Sequence, residues 1–269
     1  MDVFELHRGS SPVILSFPHT GAYVPDPAAE RLNDTGRRLT DADWHVHELY
    51  ADLRPGATSI RALFHRYVID ANRDPRDVSL YPGQNTTGLI PQTDFDGRPI
   101  WRDGQSPDHA ETAHRLELYH APYHRALAAE IARVKTKHGV AILFDCHSIR
   151  SKIPFLFAGK LPDFNVGTVD GTSCAAEIEA AVVEVAASAA GYTWVLNGRF
   201  KGGWTTRHHA NPSLGVHTIQ LELAQDTHLT KEAPPFDLDP VKAGRLRKHL
   251  AAMLKRIEDL APSLAKGTT

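Results

Sequence analysis

Two apolar runs in this chain end abruptly in chemically active residues. Val140-Ala141-Ile142-Leu143-Phe144 leads straight into Asp145-Cys146-His147-Ser148, and Ser11-Pro12-Val13-Ile14-Leu15-Ser16-Phe17 leads into Pro18-His19-Thr20-Gly21. A continuous apolar run of this length predicts a strand buried on both faces, as in the middle of an α/β sheet. Polar groups at the carboxyl end of such a strand face the crevice where open α/β sheets bind ligands. A third stretch, residues 216–223, alternates as a strand does and sets Glu222 opposite in direction to Leu221 and Leu223. Residues 59–70 supply further strand material ending near Val68-Ile69, and Tyr192–Leu196 supply another strand.

Between these runs the spacing turns helical. Residues 40–53 predict a helix capped by Thr40 or Asp41, with Asp43 in its first turn and Trp44, Val46, Leu49, Tyr50 and Leu53 on its apolar face. Asp43 and His47, four apart, share a side of that helix. Residues 107–138 predict a long helix with Ser106 as cap and Pro107 first, bent or divided at Pro122. His114, His120 and His124 fall on it and are expected at its surface. An alanine-rich helix over 173–190 closes at Gly191, and a helix over about 239–259 precedes a tail expected to fray from Pro262. Residues 159–171 predict a second loop. Residues 81–105, rich in Gly, Pro, Asn and Gln, make a connection long enough to be a lid or binding loop over an active site, or a solvated insertion. No internal repeat or linker appears, so one domain over 1–269 is expected. The fold class is α/β.

Composition narrows the function. The 269 residues suffice to bury a core, and the net charge of −2 leaves no excess of cations for a nucleic-acid backbone. No apolar run approaches the roughly 20 residues of a membrane span. The acidic start, Met1-Asp2-Val3-Phe4-Glu5, lacks the pattern of a signal peptide, and two cysteines, Cys146 and Cys174, make no disulfide framework. A cytoplasmic location is the default expectation.

The residues at the strand ends suggest chemistry before any resemblance is drawn. His147 is a candidate metal ligand or general base, or a satisfied histidine in a turn. His19, delivered from a second strand end, could converge with it on one ion, and Asp43 or His47 could join them. Arg73, after the turn Asp70-Ala71-Asn72, could grip a carboxylate bidentately or pair with Asp70 or Asp74. Glu222, across from a metal, is suited to act as general base toward water. The segment Asn197–His209 is glycine-rich and cationic, and could bring Arg199, Lys201 and Arg207 onto an anion. It lacks the spacing of a phosphate-binding loop.

Taken together, Phe17-Pro18-His19-Thr20-Gly21, Asp43 with Leu49-Tyr50, Asn72-Arg73-Asp74-Pro75, Gln84–Gly88, Asp145–Arg150, Asn197–Gly203 and Gln220–Leu223 occur in the order of the N-formylglutamate amidohydrolase (deformylase) family. The resemblance runs over roughly residues 10–255. More distantly, the chain is similar to zinc carboxypeptidases and aspartoacylases, whose fold is a mixed sheet flanked by helices. The resemblance implies that His19 and His147 are metal ligands, that Glu222 is the catalytic carboxylate, and that Asn72-Arg73 holds a substrate carboxylate. The wider group's acidic ligand lies three residues after the first histidine, where this chain has Ala22. The third ligand then comes from elsewhere, Asp43 being the choice and Asp41 the alternate.

The implied reaction is hydrolysis of N-formyl-L-glutamate to formate and L-glutamate, the last step of one route of histidine degradation, by water activated on Zn2+ or another divalent transition metal. Arg73 or Arg150 would stabilise the oxyanion, while Asn72, Arg73, Arg199, Lys201 and Asn85 would bind the dianionic N-acyl amino acid. Two alternatives share the residues: an amidohydrolase for another N-acyl amino acid, and a metal-free binding protein for acidic amino acids. A serine hydrolase built on Ser148 fits poorly, because neighbours on a strand face opposite ways and no Gly-x-Ser-x-Gly turn is present.

Overall fold

A computed structural model describes residues 2–266. Seven strands form one sheet: β1 (Phe4–His7), β2 (Val13–Phe17), β3 (Thr58–Ala62), β4 (Ala141–Ile149), β5 (Phe164–Gly167), β6 (Trp194–Leu196) and β7 (Val216–Ala224), in the order β1-β3-β2-β4-β7-β5-β6. The central run β3-β2-β4-β7 is parallel, β1 and β5 join it antiparallel, and β6 runs parallel to β5. The sheet is therefore mixed, as the resemblance implies.

Alternation sorts the central strands between two cores. Val13, Leu15 and Phe17 of β2, Ile142, Phe144 and Cys146 of β4, and Ile219, Leu221 and Leu223 of β7 pack under α5 (Ala176–Ser188) and α7 (Pro240–Lys266). Ile14, Ala141 and Leu143 face the other way, onto Tyr123, Leu127, Ile131 and Val134 of α4 (Ala121–His138). Each such buried side chain contributes about 1.5–3 kcal/mol relative to exposure. The period of two has a functional consequence. Asp145 and His147 on β4, and Gln220 and Glu222 on β7, share the α4 face of the sheet at the carboxyl ends of the parallel strands.

Several elements differ from the expectation for local reasons. β3 stops at Ala62, because His65 accepts the Tyr67 N–H on its own ring nitrogen and turns the chain. Val68 and Ile69 are core residues of a turn, not strand. A single turn, α1 (Asp26–Ala29), precedes the helix expected at 40–53, which reduces to the short α2 (Val46–Tyr50), with His45 at φ 60° before it. Asp41 and Asp43 cap nothing, since both carboxylates are drawn inward to other partners. The long helix begins at α3 (His109–Arg115), capped by Asp108 rather than Ser106. It passes through a single π-turn over Leu116–His120 and resumes as α4, with Pro122 in its first turn. Residues 159–171, expected as loop, contain β5, and β1 was not foreseen. Residues 197–209, read as a loop, include α6 (Trp204–His209). α7 continues through Pro262 to Lys266, because Ala261, Leu264 and Ala265 pack on the core; the rest of the expected frayed tail, 267–269, lies outside the described residues. Among the described residues no helix is long and apolar enough to cross a membrane.

Candidate active site

The carboxyl ends of β2 and β4 deliver His19 and His147, and the turn before α2 delivers Asp43. All three are buried, and one ligand atom of each lies within 4.8 Å of the others. Asp43 Oδ2 stands 3.1 Å from His147 Nδ1 and 3.7 Å from His19 Nδ1. The remaining ring nitrogens are taken by carboxylates. His19 Nε2–H donates to Asp70 Oδ1 at 2.6 Å, and His147 Nε2 lies 3.0 Å from Asp145 Oδ2. A carboxylate only accepts, so each Nε2 carries a proton; His147 Nδ1 also meets a carboxylate, Asp43 Oδ2, and would present a lone pair once a cation displaced the proton between them. His19 Nδ1 has no hydrogen-bond partner although it is buried. Two imidazole lone pairs and a carboxylate, with outer carboxylates orienting the rings, form a donor set suited to zinc. This arrangement fits a divalent transition metal.

Local sequence explains the placement. Asp43 N–H donates to the His19 carbonyl, which ties the two loops together. Gly21 lies so close to Leu63 that a Cβ would fall 2.4 Å from its carbonyl oxygen, so the turn after His19 needs glycine. The unexpected member of the cluster is Arg66. It donates to Asp43 Oδ1 at 2.7 Å, reaches within 3.8 Å of Asp70, and lies over the Phe95 ring. Burial alone would raise the Asp43 carboxyl, but Arg66 and His19 hold it well below the ordinary carboxylate range. Burial would likewise raise Asp70, and His19 and Arg73 hold it low. Burial disfavours a charged His147, yet Asp145 outweighs that and raises it. Asp41, the alternate ligand, accepts from the Tyr67 hydroxyl and the Phe95 N–H and stands outside the trio.

Glu222 pairs in register with His147 across β4 and β7 and lines the same cavity. Burial raises its carboxyl to about 8, with His147 and Arg66 opposing the rise and Asp43 adding to it. Gln220 Nε2 approaches it at 3.4 Å.

Around this centre the cavity is walled by Arg66, Asn72, Arg73, Tyr81, Asn85, Thr86, Thr87, Phe95, Arg199, Phe200, Gly203 and Gln220. Asn72 has its amide nitrogen 3.1 Å from His147 Nε2 and accepts the Thr205 N–H at 2.8 Å. A Cβ on Gly203 would overlap Asn72 at 2.3–2.5 Å, so the glycine lets that backbone close over it. Arg73 is fixed by the Thr87 carbonyl and hydroxyl. Arg199 donates to the carbonyls of Leu156 and Asn85 and lies against Tyr81 and Phe200.

Other predicted residues lie elsewhere. Arg150 pairs with Asp96 and is not in the cavity wall, and the Lys201 ammonium turns outward to Asp170. His47 sits on α2, in a groove with His7 and Arg61. Ser148 does line the cavity, but its N–H is on Asp43 and its hydroxyl accepts from Gln225. His120 and His124, expected at the surface, are 3% and 8% exposed. The residues missed in sequence are Arg66, Asp70 as partner of His19, and Gln220. A buried arginine inside an otherwise apolar run was the one available signal for Arg66.

The chain matches the N-formylglutamate amidohydrolase family over residues 11–229. It is 46% identical over 257 residues to an N-formylglutamate deformylase of Pseudomonas aeruginosa, covering 94% of this chain and 96% of that one. It is 45% identical over 235 residues to an N-formylglutamate deformylase of Pseudomonas putida, covering 87% of each. Among solved structures, an N-formylglutamate amidohydrolase from Ralstonia eutropha is similar at a TM-score of 0.82 and 24% identity, over 97% of this chain and 98% of that chain. A gene product of Agrobacterium tumefaciens is similar at 0.69 and 18%, over 97% and 96%. The two structures establish the shared α/β fold, and the sequence matches go further: the protein belongs to the N-formylglutamate amidohydrolase family.

Proposed function

We propose that the protein hydrolyses N-formyl-L-glutamate to formate and L-glutamate, with a divalent transition metal, zinc by preference, held by His19, Asp43 and His147. The observation that carries this is the unpartnered, buried Nδ1 of His19 turned toward Asp43 and His147, with Glu222 across the strands from them. The names of the Pseudomonas relatives supply the substrate. When bound at such a site, zinc lowers the pKa of a water to about 7 and polarises an amide carbonyl.

The chain's own residues then divide the work. Glu222 accepts the proton of the attacking water and returns it to the departing amine, so that the C–N bond breaks as formate takes the oxygen. Arg66 stands beside Asp43 in the cavity wall, and its buried guanidinium serves the charge that develops on the carbonyl oxygen. It takes the role that sequence offered to Arg73 or Arg150. Arg73 with Asn72, and Arg199 with Asn85, hold the two carboxylates of the substrate, because a dianion taken from water into a cavity needs paired cations. Release of glutamate and formate places the reaction at the end of a histidine-degradation route.

The test is release of the free amino acid from N-formyl-L-glutamate compared with N-acetyl-L-glutamate and N-formyl-L-leucine. The proposal expects the first to be preferred by kcat/KM. Preference for N-acetyl-L-glutamate would move the assignment to another acyl group, and preference for N-formyl-L-leucine would refute the paired-cation reading.

A further inference from the structure

Three buried side chains on one helical face reach the same loop, and none of them has a place in the reaction above. Arg115 donates to the Val68 carbonyl at 2.9 Å, His124 Nε2 to the Ala71 carbonyl at 2.7 Å, and His120 Nε2 to the Arg73 carbonyl at 3.0 Å. Between them lies Asn72, whose own carbonyl accepts from Arg73 and from the Trp204 N–H. The carbonyls of residues 71, 72 and 73 are thus each held, two of them by histidines.

The π-turn makes this possible. Residues five apart on an α-helix are rotated by about 140° from one another, so Arg115 and His120 would face different sides. The π-turn over Leu116–His120 absorbs one extra residue and returns both to the same face; His124, four residues on, then follows by ordinary α geometry. His124 is also fixed in its ring orientation. With Nε2–H on Ala71, its Nδ1 accepts from His209 Nε2 at 3.1 Å, which ties the ladder to α6. Burial lowers His120, His124 and His209 below the ordinary histidine range, which keeps them neutral as this bonding requires.

We propose that Arg115, His120 and His124 are positioning residues: a ladder of donors that sets the backbone of residues 68–73 and so aims Asn72 and Arg73 at the substrate carboxylate. This rests on the reading of Asn72-Arg73 as the carboxylate clamp. Displacement of the clamp, with the metal ligands and Glu222 untouched, weakens substrate binding more than it slows chemistry.

The experiment uses the full-length, zinc-loaded protein with His120→Phe and His124→Phe, which keep bulk and lose the donor, and His120→Gln and His124→Gln, which restore an N–H near the place of Nε2. Two readings are taken: steady-state hydrolysis of N-formyl-L-glutamate, and amide hydrogen exchange across residues 67–77 without substrate. Each Phe variant should raise KM about tenfold or more with kcat near wild type, as expected when binding geometry rather than the chemical step is disturbed. Each should also exchange faster at residues 70–74, and the Gln variants should reverse both effects. Wild-type KM and exchange in the Phe variants would overturn the proposal, as would a fall in kcat at unchanged KM. If a Phe variant does not fold, His→Asn at the same position serves instead, since its shorter amide stops short of the carbonyl; wild-type KM in that variant overturns the proposal. If the wild-type protein itself leaves N-formyl-L-glutamate intact, the functional reading fails, and exchange alone then judges the ladder, with unchanged exchange rejecting it.

Discussion

Asp70 holds the outer nitrogen of His19. The 2.6 Å contact between Asp70 Oδ1 and His19 Nε2, both side chains buried, fixes the imidazole so that Nδ1 faces Asp43 and His147. One carboxylate thereby determines both the tautomer and the aim of a ligand it does not itself supply.

That relationship gives the first prediction. Asp70→Asn keeps the shape and removes the charge, and should weaken zinc binding by about 10–100-fold, the usual loss when a histidine ligand loses its outer carboxylate. Competition against a chelating dye measures it. Unchanged affinity would mean that His19 does not bind metal through Nδ1.

Glu222 is assigned proton transfer and not ligation. Glu222→Gln should lower kcat by about 10²-fold or more, the scale of a lost general base. KM and the zinc content of the purified protein should stay near wild type. A variant that also loses its zinc would make Glu222 a ligand.

Arg66 and Arg150 separate two assignments of the oxyanion contact. Arg66→Ala should cost about 10²-fold or more in kcat, the scale of a removed oxyanion donor, with circular dichroism used to confirm folding. Arg150→Ala, which loses only its pairing with Asp96, should leave kcat unchanged. The reverse ranking would restore the role to Arg150.

Acid should destabilise the fold through buried neutral histidines. Burial lowers His228 to about 4, with its Nε2–H on the Trp44 carbonyl. In the unfolded chain this ring titrates near 6.5. The folded pKa is the lower one, so below about 6.5 the unfolded state binds the extra proton. The stability that a neutral His228 contributes is full above that pH and is lost as pH falls toward 4. The slope is about 1.4 kcal/mol per pH unit for each such group. Urea unfolding at several pH values should show a slope smaller by one proton in His228→Gln. An equal slope would show that His228 is not the titrating group.

How much of this was legible in the chain follows from where each residue's partners lie. β2 and β4 announce themselves, because a strand buried on both faces leaves an unbroken apolar run, and β7 does so by its alternation; the polar residues at their ends are the site. His19, His147 and Glu222 are visible for that reason. β1 and β5 are only four residues each and carry polar neighbours, so neither makes a run long enough to read. The helix around Asp43 looked longer than it is because the carboxylates that resemble helix caps are held instead by Arg66, Tyr67 and Ser148. His120 and His124 read as surface residues of a regular helix, and a π-turn leaves no mark in apolar spacing. Arg66 and Asp70 stayed hidden because buried charges that satisfy one another follow no periodicity. Arg150 and Lys201 were attractive as cations, but local acids, Asp96 and Asp170, take them.

The most direct test of the central claim is formate release from N-formyl-L-glutamate by the purified protein before chelation, after chelation and after zinc is returned, with metal analysis of each sample. The account predicts about one zinc per chain, loss of formate release on chelation, and recovery on readdition. Full activity in chelated protein shown to be free of metal would contradict it.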